Sequence, residues 1–160
     1  MSYPRFEFDM QLATDAKQWQ LQEGTLTIKR DGKNAGVKLR VTSGLAGYQN
    51  KGAWRIKGRG CIPPSAQITP HSWSVSTLKL WMPDVRGVEG SFYAISPFSV
   101  KMPGVTRGDF GIHFDPVHGT PGSAGCIVVR DQGHWDLFRA EIGQFRLDGI
   151  QSVLLLVNYS

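Results

Sequence analysis

Short runs in which apolar and polar residues alternate, each closed by glycine or proline, recur from one end of this chain to the other. Residues 3–10 set Phe6 and Phe8 on one face, and residues 25–30 do the same with Leu26 and Ile28. Residues 37–42 alternate again, and the turn-rich residues 31–36 between them make a hairpin. Residues 73–81 run at period two, with Val75, Thr77, Lys79 and Trp81 together. Residues 92–95 are a short run, and residues 152–159 are apolar enough for a central strand. Alternation at period two is the mark of a strand with one buried face. Residues 19–22 and 54–58 repeat it more weakly, and residues 98–102 are ambiguous. Nineteen glycines and nine prolines favour turns over long helices. Residues 131–143 are the best helix candidate. Trp135, Phe138 and Ile142 fall at i, i+3 and i+7, Asp131 can cap the start, and Gly143 can end it. The expectation is one mostly-β domain over residues 1–160 with one or two short helices.

At 160 residues the chain can bury a sizeable core. The net charge of +5 favours anionic partners such as nucleic acid, anionic lipid or a bacterial wall polymer. No lysine/arginine run or arginine-rich helix is present, which argues against nucleic acid. No stretch reaches the roughly 18 apolar residues of a membrane span. Residues 1–8 lack an apolar run behind a basic segment, so no secretory signal is read there. Cys61 and Cys126 are expected as two free thiols.

Chemistry concentrates in residues 109–130. A strand-like run carries His113, a Gly/Pro/Ser/Thr-rich loop follows, and Cys126 opens the run Ile127, Val128, Val129. The thirteen positions between His113 and Cys126 suit two neighbouring strands joined by a loop. They suit a pair on one helix poorly, because Pro116 and Pro121 would break that helix. A thiol with a free pKa of about 8.5 is only slightly ionised near neutrality, so an adjacent imidazole must activate it. The backbone N–H groups of Gly125 and Cys126 could face a developing oxyanion. His113, Asp115, His118 and Cys126 are all metal-ligand types, but paired ligand spacing is lacking, so neither metal nor cofactor is expected. Cys61 has no histidine near it in sequence, and His71 and His134 read as a solvated and a structural residue.

The segment Gly111-Ile112-His113, followed by Gly122-Ser123-Ala124-Gly125-Cys126-Ile127, resembles the active-site signature of the L,D-transpeptidase (YkuD-type) catalytic domain. The resemblance implies a β-sandwich and a cysteine enzyme that acts on peptidoglycan stem peptides through an acyl-enzyme. Cys126 would be the nucleophile and His113 its base, with Ser123 and Gly125 as the small residues around the cysteine. Ala124 stands where that family most often has histidine, and Val128 where it has arginine or asparagine; the nearest arginine is Arg130. Arg107, just before the histidine strand, could hold a substrate carboxylate. Ala124, Arg130 and His118 are the other candidate substrate contacts. Residues 58–65, with Pro63 and Pro64, resemble the turn ahead of the family's catalytic part and could wall the groove. Space left beside Cys126 by Ala124 favours hydrolysis over cross-linking. The alternatives are a transpeptidase proper, or a non-catalytic wall-binding or virion-structural module on the same fold. Such a protein, made in the cytoplasm, would reach the wall as a phage lysin, an injected effector, a virion component, or after loss of a leader.

Overall fold

The computed structural model describes residues 4–15, 19–30, 36–69, 72–115 and 122–160. The tip of the first hairpin, residues 31–35, lies outside them, as do His71 and the loop residues 116–121 with His118. The protein is mostly β. Its strands are β1 (Arg5–Met10), β2 (Gly24–Lys29), β3 (Val37–Leu45), β4 (Trp73–Ser76), β5 (Leu80–Met82), β6 (Gly90–Ser96), β7 (Ser99–Met102), β8 (Val105–Gly108), β9 (Gly111–Phe114), β10 (Gly122–Val129) and β11 (Ser152–Tyr159). Among the described residues one α-helix, α1 (Gln132–Leu147), lies between β10 and β11.

Nine strands form one sheet in the order β4-β11-β1-β2-β3-β10-β9-β6-β5. A further pairing of β4 with β6 closes eight of them into a barrel, where the sequence suggested a sandwich of two sheets. β5 hangs outside the closure as an extra strand on β6, and β7 with β8 makes a separate hairpin. Inside the barrel stand the alternate residues Phe6, Phe8 and Met10 of β1, Leu26 and Ile28 of β2, Ile112 of β9, Ile127 and Val129 of β10, and Val153, Leu155 and Val157 of β11. Each buried aliphatic or aromatic side chain contributes about 1.5–3 kcal/mol against leaving it in water.

Helix α1 covers one end of the barrel. Asp131 caps it by accepting from the His134 N–H at 2.9 Å. His134 Nδ1 in turn accepts from the Arg40 N–H at 3.0 Å, a structural role. Gly143 does not end the helix. The apolar stripe continues to Phe145, whose burial holds the last turn, and the chain leaves through Gly149 at φ 83°. Phe138 packs on Phe6 and Tyr93, so the helix joins opposite walls. The other end is covered by residues 46–69. Trp73 Nε1 donates to the Pro63 carbonyl at 3.0 Å, and Tyr159 Oη to that of Ile62 at 2.5 Å.

Three local expectations are corrected. Residues 54–58 are a tight series of turns rather than a strand, because Gly52 and Gly58 take φ 85° and 80°. Residues 19–22 form no strand. Residues 73–81 are not one strand but two, and the break shifts the phase, so Trp81 is 69% exposed.

Candidate functional site

The site forms on the outer wall of the barrel, because the core takes the other face of its strands. In β9 the core claims Ile112, so Gly111 and His113 point outward. In β10 it claims Ile127 and Val129, so Val128 and Cys126 point outward. The two strands are parallel neighbours, with Ile127 beside Ile112 and Val128 beside His113. This phase puts Cys126 one step down the wall from His113, across from Gly111. The two side chains therefore share one face of adjacent strands.

Cys126 and His113 line the same cavity, which has a volume of about 720 Å³. The outer wall is its floor. Its far side is β5 and the turn after it, through Leu80, Met82, Val85, Arg86 and Val88. The phase shift noted above aims Leu80 and Met82 into the cavity. Gly111 is required by a neighbour, since a Cβ there would fall 2.1 Å from the Phe92 ring. That ring stacks on His113 with centroids 6.0 Å apart at 25°.

His113 Nδ1 lies 2.8 Å from the Phe114 carbonyl. A carbonyl only accepts, so Nδ1 carries the proton and Nε2 is left with its lone pair. Burial holds the imidazole below its ordinary 6.5, against the opposite pull of the Phe114 carbonyl and Asp115. Burial likewise pushes the Cys126 thiol up to about 11. The Gly111 N–H and Arg107 act to lower it, and Asp109 adds to the rise. The resting pair is therefore neutral thiol and neutral imidazole. The thiol donates to the Asp109 carbonyl at 3.9 Å, presented by a turn in which Asp109 takes φ 60°.

Ser123 braces the cysteine segment. Its hydroxyl donates to the Cys126 carbonyl at 2.6 Å and accepts from the N–H groups of Gly125 and Gly44, each at 3.3 Å. The Gly125 N–H is thus turned to Ser123, not toward the cavity. Gly125 itself takes φ 136°, and a Cβ there would fall 2.7 Å from the Arg107 guanidinium. Ala124 is exposed and lines the cavity.

Arg107 lies behind the cysteine segment. It is 3% exposed, and its two Nη atoms donate to four backbone carbonyls: Trp54 and Cys61 at 2.7 Å, Gly60 at 3.0 Å and Ala124 at 3.1 Å. The guanidinium is thus engaged by backbone, where the sequence suggested that it could hold a substrate carboxylate. Arg130 pairs with Asp115 at 3.3 Å and with Glu23 at 3.7 Å, beyond the histidine end of the site. Residues 58–65 pack under the barrel and do not line the cavity. Cys61 is fully buried, and its thiol is pushed up to about 11 by that burial. Both cysteines are free.

Sequence reasoning missed Phe92, whose register opposite His113 could not be known before the β6–β9 pairing. It also missed Ser43, which donates to the Gly125 carbonyl at 2.8 Å and accepts from the Ile62 N–H at 2.8 Å. Arg86 had no motif to mark it; among the described residues it is the lysine or arginine that lines the cavity. No helix among them is long and apolar enough to cross a membrane. Comparison of the chain with protein-family models, with curated proteins and with solved structures gives no match.

Proposed function

We propose that the protein is a cysteine acyl-transfer enzyme of the L,D-transpeptidase type, acting on peptidoglycan stem peptides at the bacterial wall. The observation that carries this reading is the shared cavity of Cys126 and His113, with the imidazole held so that Nε2 is its free base. The thiol proton passes to His113 Nε2 as sulfur bonds to the scissile carbonyl carbon. The C–N bond then breaks, and the imidazolium returns the proton to the leaving amine. The Cys126 N–H is the backbone donor for the oxyanion, in place of the Gly125 N–H that Ser123 occupies. Arg86 takes the substrate carboxylate, since Arg107 is committed to backbone.

The acyl-enzyme goes to water in preference to an amine. Ala124 is exposed beside Cys126 and leaves room there for a water. One observation favours the second reading, transfer to an amine: Leu80, Met82, Val85, Val88 and Phe92 make the cavity largely apolar, which disfavours water. The experiment is mass spectrometry of tetrapeptide-bearing wall fragments incubated with the protein and excess D-amino acid. Shortened stems are expected. Mostly exchanged, full-length stems would refute hydrolysis, and turnover undiminished in Cys126→Ala would refute the cysteine mechanism.

A further inference from the structure

The charge of this chain is unevenly placed. Between Gly32 and Pro83 lie eight of the 18 lysines and arginines and none of the 13 aspartates and glutamates. The rest of the chain holds ten basic against thirteen acidic residues and is net acidic. Four of the eight, Lys51, Arg55, Lys57 and Arg59, stand exposed on the turn series between Lys51 and Gly60. Gly60 N donates to the Ile56 carbonyl at 3.0 Å and Leu45 N to that of Arg59 at 2.9 Å, so these turns form a compact knuckle tied to the barrel. Among the described residues, none of the four forms an ion pair. Arg55 binds the Pro103 carbonyl, and Arg59 the Tyr48 hydroxyl at 2.8 Å. A solvated cationic face is ordinarily interspersed with acids, and residues 32–83 supply none.

The knuckle is fixed to the reaction site. The buried Arg107 guanidinium holds the Trp54, Gly60 and Cys61 carbonyls of the knuckle and the Ala124 carbonyl of the cysteine segment. A ligand seated on the knuckle therefore lies at a set position relative to Cys126.

We infer that the Lys51–Arg59 knuckle is a docking surface for a phosphodiester-rich anionic wall polymer, of the kind built from polyol phosphate repeats. The choice of polymer rests on the wall-acting reading above; the cationic site does not. Nucleic acid fits less well. The knuckle offers no helix for a groove, and its own rings are covered: Trp54 stacks on Tyr159 at 5.8 Å, and the Arg59 guanidinium lies 5.4 Å over Tyr48. Exposed Trp19, packed against Gly47 beside it, is one stacking face where single-strand binders use a succession.

The test is a titration of the wild-type protein with soluble poly(glycerol phosphate) and with a 20-nucleotide oligothymidylate. Neither polymer has a peptide bond, so turnover plays no part, and failure of the enzyme reading would leave the result standing. Four neutralised phosphates predict an affinity loss of about 50-fold between 50 and 200 mM salt by the single-strand counterion-release slope. Lys51→Glu with Lys57→Glu should weaken binding of the phosphate polymer at least tenfold with an unchanged circular dichroism spectrum. Lys51→Gln with Lys57→Gln should give an intermediate loss. Binding unchanged in both double variants, or insensitive to salt, overturns the proposal. Tighter binding of the oligothymidylate overturns the choice of polymer in favour of nucleic acid.

Discussion

Replacing Arg107 separates a structural clamp from a substrate ligand. In the folded protein its guanidinium is buried, faces four carbonyls within 3.1 Å and has no carboxylate partner among the described residues. A hydrogen bond to a charged group contributes about 1.5–3 kcal/mol net. Lysine keeps the charge but has three N–H donors and no fork, so at least one of the four carbonyls loses its partner. Arg107→Lys should therefore cost about 2 kcal/mol. Arg107→Ala strands all four carbonyls and opens a space that water only partly fills. It also removes the desolvation cost of a buried cation, so its total falls below the sum of four bonds, at about 4–5 kcal/mol. For a domain of this size, 2 kcal/mol corresponds to a fall in Tm of about 4–8 °C. Urea unfolding of both variants supplies the free energies, and the alkylation rate of Cys126 should rise as its segment loosens. Had Arg107 held a substrate carboxylate, Arg107→Lys would raise KM and leave unfolding untouched. An unfolding free energy within about 0.5 kcal/mol of wild type for Arg107→Ala would refute the clamp.

Arg86→Ala should raise KM for stem peptides about tenfold with little change in kcat, the loss of about 1.4 kcal/mol of ground-state binding; an unchanged KM would remove Arg86 from the substrate site. The acid limb of the kcat/KM profile should lie below pH 6.5, because His113 must be neutral to take the thiol proton and burial depresses its pKa; a limb above 6.5 would contradict the buried base. Cys61 is raised from 9.0 to about 11 in the fold, so its contribution is whole below pH 9 and fades as pH climbs to 11, by up to about 3 kcal/mol. Urea unfolding at pH 8 and pH 11 should show that slope shrink in Cys61→Ala, while peptide turnover at pH 7 is retained. Gly111→Ala should cost about 1–3 kcal/mol by driving a Cβ into the Phe92 ring, and Phe92→Leu in the same chain should recover part of it.

The placement of Cys126 and His113 on neighbouring strands was legible because the glycine-rich loop and the spacing speak locally. The hairpin of β2 and β3 and the alternating interior of β1 were legible for the same reason. Arg107 was misread because its environment is supplied by residues 54–61, which sequence distance hides. Arg86 and Phe92 were missed because each acquires its place through strand register. The sandwich became a barrel through one contact, Ser74 and Val75 of β4 meeting Ser96 and Ile95 of β6, which no periodicity encodes. Gly143 failed as a helix end because tertiary burial of Phe145 outweighs the roughly 1 kcal/mol that a helical glycine costs.

The barrel's seam also governs how the chain must assemble in time. β1 pairs in parallel with β11, Arg5 beside Leu154, so the first strand waits for a partner almost the whole chain away. β4 waits for the same strand on its other side. Until β11 docks, both edges stay open, and the run Val153-Leu154-Leu155-Leu156-Val157 is itself an exposed, chargeless β segment. Pairings this distant in sequence slow folding toward the millisecond-to-second range. The nascent protein therefore passes through a period in which another copy can take the place of its own last strand, and gain of soluble protein on cooler expression is the expected sign of that competition.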